Sequence, residues 1–303
     1  MENLNNKIYE DEIDLIELFK TICKYKIFIL VFVFIVTAIS IIYVLSKPNI
    51  YEVKVVATQQ KVPPMNLVMN NYILEYDVNE LLTPVDVAMV NIIKDYSFMK
   101  DFIKKNEFDK KLLSEELEKD YVFAFNYDGI YKIFKIKKDK EDKINFFSDI
   151  YKPFTESFSV KKDKKTQLIT ISYTHPNRFF AYEVVNRFLR DASEHLKKKE
   201  IAKIENEIKN YKSLLSSTNQ NIIKSILEQK ILNLNILKNI VLNSPYYLLE
   251  VLVKPTIPDV KDKIGPKRAL IIVISFVTSF ILSIFLVFVI EFIRNIKGSK
   301  WKY

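Results

Sequence analysis

Two long apolar runs stand near the ends of the chain. Ile27 to Ser46 (IFILVFVFIVTAISIIYVLS) carries no charge, and neither does Ala269 to Ile290 (ALIIVISFVTSFILSIFLVFVI). As helices, each covers roughly 30 Å, the thickness of a bilayer's hydrocarbon core. A buried core helix rarely stays free of charge for so long. The first run also exceeds the apolar stretch of a signal peptide and lacks a small-residue exit. The pattern predicts transmembrane helices at 27–46 and 269–290. Just ahead of the first, residues 11–23 (DEIDLIELFKTIC) put Ile13, Ile16, Phe19 and Ile22 on one helical face, with Asp14, Glu17 and Lys20 opposite. This is an amphipathic lead-in suited to the membrane surface or to its own subunit.

Between the runs, the period of the pattern changes several times. Tyr51 to Thr58 (YEVKVVAT) alternates as a strand. Thr83 as N-cap, Pro84 in the first turn and Asp86 closing a capping box predict a helix carrying Val85, Met89, Ile92, Tyr96, Met99 and Ile103 on one stripe. Residues 121–137 read as two strands about Tyr127-Asp128-Gly129, and Gln167 to Thr174 as another. From Asn177 to Leu215 the chain holds neither Gly nor Pro, and its stripe (Val185, Phe188, Ala192, Leu196, then Ile201 to Leu215) predicts one helix of about 58 Å. Ser216-Ser217-Thr218-Asn219 breaks it, and a second stripe from Ile223 to Val241 predicts the return arm of an antiparallel hairpin. Such a stripe calls for partners beyond its own return arm, so self-association is expected. Tyr246 to Lys254 reads as a strand, and Pro255, Pro258 and Pro266 punctuate an extended connector to the second span.

The predicted fold is an α+β membrane protein, with two transmembrane helices framing an α/β base and a long helical hairpin. Its segments are 1–26, a cytoplasmic lead-in; 27–46, the first span; 47–268, the large loop; 269–290, the second span; and 291–303, a short tail. Within the loop, the base takes about 47–175 and 244–254, the hairpin about 177–243 and the connector 255–268.

Composition narrows the chemistry. Three glycines, each alone (Gly129, Gly265 and Gly298), exclude a Gly-rich phosphate loop or dinucleotide fingerprint. Two histidines and one cysteine exclude zinc sites, disulfide frameworks and most His-based catalysis, and no cofactor is expected. Cys23 reads as a small inert hydrophobe. Carboxylates are plentiful, but no spacing singles out an acid–base pair, so no catalytic residue is assigned. The formal charge of +9, from 46 basic and 37 acidic residues, comes mostly from the loop, where the signs mix. The runs Lys161-Lys162-Asp163-Lys164-Lys165 and Lys197-Lys198-Lys199 read as solvated faces, and nucleic acid is not an expected partner. Lys7, Lys20, Lys24 and Lys26 before the first span, with Arg294, Lys297, Lys300 and Lys302 after the second, put both termini in the cytoplasm and the loop outside it. Lys254, Lys261, Lys263, Lys267 and Arg268 oppose this, but long loops translocate largely regardless of charge. In the second span, Ser275, Ser279 and Ser283 form one small-residue stripe, a candidate surface for helix packing in the bilayer.

The order of these segments carries a resemblance. IDLIELFKTICKYK leads into a span, KPNIYEVKVVAT follows it, HPNRFFAYEVVNRFL opens the long helix, and VLVKPTIPDVKDKIGPKR precedes the closing span. The arrangement is similar to the Wzz-type chain-length determinants, polysaccharide co-polymerases of Gram-negative inner membranes. The likeness covers both ends and 167–268. It implies cytoplasmic termini, a periplasmic α/β base with a long helix, a closed homo-oligomer in the lipid bilayer and work beside a membrane-embedded polysaccharide polymerase. By position, Pro255, Pro258 and Pro266 match the family's proline-rich segment, while Pro176 and Asn186 match its helix opening. The serine stripe departs from the glycines common in the family's second span, and His175 stands where an acidic residue is common. Residues 291–303 are too few for a domain and no Walker A segment is present. The resemblance therefore favours the lipopolysaccharide O-antigen class over capsule or exopolysaccharide export. A non-enzymatic regulator of polysaccharide chain length is the leading expectation, with Arg187, Arg190 and Lys197 as candidate polymer contacts. An export component, or a periplasmic coiled-coil scaffold without a glycan partner, stays open as the alternative.

Overall fold

The computed structural model describes residues 15–62, 65–69, 72–76, 82–114 and 145–299. The chain divides into two units, one holding both apolar helices and one holding residues from Asn49 to Ile264. The strands expected around Tyr127-Asp128-Gly129 lie outside the described residues.

In the first unit, the lead-in forms α1 (Leu15–Lys24), the first apolar run α2 (Lys26–Leu45) and the last α9 (Arg268–Ser299). α2 and the Arg268–Arg294 stretch of α9 have mean hydropathies of 3.1 and 2.9 and are long and apolar enough to cross a membrane. α9 runs past the expected limit at Ile290, since nothing between Glu291 and Lys297 disfavours helix. α2 and α9 pack antiparallel: Ile29 and Val33 meet Val287, and Ser40 meets Ser275. Both ends of the pair are tied by polar groups. At one end Glu291 accepts from Lys24 Nζ (2.8 Å) and Tyr25 OH (2.7 Å). At the other, Arg268 donates to the carbonyls of Val44 (3.3 Å) and Lys47 (3.0 Å). The charged groups thus sit at the limits of the apolar stretch, where a bilayer would present headgroups and water.

The second unit is built on a four-stranded antiparallel sheet in the order β4-β5-β1-β6, formed by β1 (Tyr51–Gln59), β4 (Phe158–Lys162), β5 (Ile169–His175) and β6 (Leu249–Val253). Alternation sends Val53, Val55 and Ala57 to the core face, opposite Tyr173, Ile171 and Ile169. A separate hairpin joins β2 (Met65–Met69) to β3 (Tyr72–Tyr76). Helices α3 (Val85–Lys94), α4 (Tyr96–Lys105) and α5 (Phe108–Leu113) follow, then a π-helical turn (Phe146–Tyr151) and α6 (Lys152–Glu156). The long helix is α7 (Arg178–Ser217) and its return arm α8 (Asn221–Asn243). Phe180, Val184, Val185, Phe188 and Ala192 of α7 are buried in one core with the sheet, α3 and α4. Within it Phe102, Phe108, Phe154 and Phe188 pack ring to ring at 5.5–6.3 Å. Further along, Ile204 and Ile208 meet Leu234, Leu237 and Val241, closing the predicted hairpin.

Three expectations are corrected. The single helix over 83–103 is two, because Asp95 turns to an extended conformation and its carboxylate accepts the N–H groups of Ser97 (3.0 Å) and Phe98 (3.2 Å), capping α4. Tyr96 therefore leaves the apolar stripe and is 42% exposed. The residue before α3 is Pro84 rather than Thr83, and no side chain caps that helix. The last strand starts at Leu249 rather than Tyr246, since Leu248 adopts a left-handed conformation (φ 47°) that turns the chain.

Candidate functional site

The first half of α7 carries Asn186, Arg187, Arg190 and Lys197, and its start shows how the helix is set. His175 ends β5, and its Nδ1 accepts the N–H of Asn177 (3.0 Å). Asn177 in turn accepts the N–H of Phe180 (2.8 Å), so Asn177 is the helix cap, with Pro176 in the link between strand and helix. Asn186, matched to the family's helix opening, donates back to Tyr182 O (3.1 Å) within the helix. The opening belongs to Asn177, a signal present in the sequence as Asn just before an apolar-periodic run.

The three candidate polymer contacts are engaged internally. Arg187 reaches Asn106 Oδ1 (2.9 Å) and Glu183 (2.8 Å), Arg190 pairs with Asp191 (3.0 Å), and Lys197 donates to the backbone carbonyl of Ser244. Burial holds the Lys197 ammonium below the usual lysine range. Ser244 also donates to Gln60 Oε1 (2.9 Å), so Lys197 fastens the root of the hairpin to the end of β1. Asp191, 7% exposed, accepts from Lys105 (3.2 Å) and Asn106 (3.3 Å) as well. Burial alone would raise its pKa, but the hydrogen bonds from Arg190, Asn106 and Lys105 outweigh it and keep the carboxyl below the ordinary range.

The proline connector lies along the same unit. Pro255 is buried, Pro258 O accepts from Arg178 (3.1 Å), and Ile264 N donates to Ile50 O (2.9 Å). Pro266 belongs to the first unit, where its carbonyl accepts from Arg268 N (2.9 Å). In that unit Ser275 Oγ is 2.8 Å from Ser40 Oγ, while buried Ser279 and Ser283 turn their hydroxyls to the carbonyls of Phe276 and Phe280.

One feature had no signal in the sequence. Beside α7 run two adjoining hollows of about 380 and 320 Å³ that share Asp95 and His195. The first lies among α3, α7 and the turn at Tyr247; the second lies between α4 and α7. Buried Glu200 sits at one end, where its carboxylate accepts from Tyr247 OH (3.2 Å) and lies 3.6 Å from Lys203 Nζ. Burial, reinforced by the Glu200 charge, pushes the Tyr247 phenol well above the ordinary tyrosine range. Asp191 anchors the other end, and the His195 ring stands edge-on to Phe98 at 5.0 Å. Residues from α3, α4, α7 and a distant turn make this groove, which is why no local pattern announced it. Among the described residues, no three His, Cys, Asp or Glu side chains gather to hold a metal ion.

Comparison with known proteins gives the following. No curated protein matches the sequence. Among solved structures, a full-length bacterial polysaccharide co-polymerase is 13% identical with a TM-score of 0.40, over 93% of this chain and 99% of that one. A fragment of WzzB, polysaccharide co-polymerase from Salmonella Typhimurium, is also 13% identical, with a TM-score of 0.31 over 72% of this chain and all of that fragment. The matching family model covers 11–106, running from the lead-in through α2 and β1 to α4 and stopping short of the long helix. Over residues 11–106 this chain matches Wzz, chain length determinant protein, the family whose likeness its sequence carries.

Proposed function

We propose that the protein regulates the chain length of a surface polysaccharide, lipopolysaccharide O-antigen in the first instance, without catalysing a reaction itself. It acts as a homo-oligomer in the bacterial inner membrane, beside the polymerase that makes the polymer. The observation that carries this reading is the chain-length-determinant match over 11–106, on a chain whose two long apolar helices flank an α/β unit with a 40-residue helix. Cytoplasmic termini and a periplasmic second unit are supported by the basic residues before α2 and late in α9.

The test is the size distribution of surface polysaccharide on a gel, from a strain lacking the protein and from the same strain re-expressing it. A modal cluster that dissolves into a random ladder and then returns is the expected outcome. Polymer trapped inside the cell would instead assign the protein to export, and an unchanged pattern would remove it from polysaccharide assembly.

A further inference from the structure

We infer that the groove formed along α7 by the two adjoining hollows binds a short run of uncharged pyranose rings of the polysaccharide, an assignment that rests on the function proposed above. The groove has two kinds of polar group. Asp191 and Glu200 are each 7% exposed and satisfied by neighbours, so they form a fixed frame. Asn91, Asp101, His195 and Lys199 line the same walls, are exposed, and have no hydrogen-bond or ion-pair partner among the described residues. Amide, carboxylate, imidazole and ammonium together supply donors and acceptors to sugar hydroxyls, each of which both donates and accepts. Phe98 and Leu196 add apolar wall against which the C–H face of a ring can lie.

Length and charge select among ligands. From Asp191 to Lys203 the groove follows about 18 Å of helix, enough for several linked rings rather than one monosaccharide. Four lysines and five carboxylates line the two hollows, so the field nearly cancels and favours neither a polyanion nor a polycation. Arg187, Arg190 and Lys197 do not line the two hollows, and Arg190 is held beside them by its bond to Asp191.

The experiment uses the full chain in detergent, with the lipid-free polysaccharide released by mild acid from the producing strain as probe. Binding is read by titration calorimetry and saturation-transfer NMR. Asn91→Ala combined with His195→Ala removes two exposed groups bonded to nothing else described, so the fold should survive, as circular dichroism will check. The affinity should fall about tenfold or more, the loss of roughly two neutral hydrogen bonds. Lys161→Ala, on the exposed end of β4, should leave it unchanged. An unbound wild-type protein, an unaffected double variant, or heparin binding more tightly than the uncharged polymer would each overturn the assignment. The same strains separate the two claims. A modal length that still depends on the protein keeps chain-length control while the groove falls, and a length indifferent to the protein removes the function itself.

Discussion

Asp191 collects hydrogen bonds from Lys105, Asn106 and its neighbour Arg190 and joins α7 to α4. Its carboxyl is held below the unfolded value of about 3.9. The stability it contributes is therefore complete above that pH and lost as pH falls through the folded value. Asp191→Asn should cost about 2 kcal/mol at neutral pH, with the difference from wild type closing below about pH 4. Equal melting temperatures at pH 7 would refute the role. Gln167 works in the opposite direction. It is an exposed residue held at φ 60° in the β4–β5 turn, where Asp163 accepts the N–H groups of Lys165 and Thr166 (2.8 Å each). Gln167→Gly should stabilise the unit by up to about 1 kcal/mol, because glycine enters the left-handed region without the steric cost of a Cβ. A calorimetric scan with no rise in melting temperature would count against that strain. By its charge pattern, Lys161 to Lys165 is only a solvated run. That the run pairs in β4 and then turns on Asp163 has no legible signal, since the alternation of FSVKK is too short to stand out.

The elements differ in how far their patterns could be read. α7, α8 and α2 lie within a few residues of their predicted limits, and α9 starts within one, because each stripe or apolar run persists for many turns. The region of α5, the π-helical turn and α6 was missed, because elements of five or six residues hold too little periodicity and are fixed by the packing of Phe102, Phe108 and Phe154. Two predictions belong here. Ile204 is 2% exposed between the hairpin arms, and Ile204→Pro, at about 3 kcal/mol or more, should change polysaccharide length on the gel while the protein stays in the membrane fraction. Normal length despite lost helicity would take the hairpin out of the mechanism. In the α2–α9 pair, Ser40→Cys with Ser275→Cys in a Cys23→Ser background should cross-link under mild oxidation, since the two hydroxyls lie 2.8 Å apart. Adding Ser283→Leu forces bulk into a fully buried position, and overpacking of about 1–3 kcal/mol should suppress that cross-link. An undiminished cross-link would mean that the small stripe does not set the approach of the helices.

At the scale of the whole molecule, α8 leaves Ile222, Leu232 and Leu242 about half exposed, more apolar surface than a lone return arm needs. Mass measurement in detergent should therefore find a homo-oligomer, and a strict monomer would argue against the proposed assembly. The order β4-β5-β1-β6 has a consequence for biogenesis. β1 leaves the first span early, yet one of its neighbours, β6, comes only after the whole helical hairpin, with Ala57 opposite Val251. If the second unit crosses the membrane amino-terminal end first, its sheet stays open at β1 until nearly the entire crossing is finished. Closing a pairing so distant in sequence is slow, and the waiting edge can recruit a wrong strand. Chains truncated before Leu249 should consequently be far more open to protease than chains that include β6, because the edge of β1 then has no strand to close it.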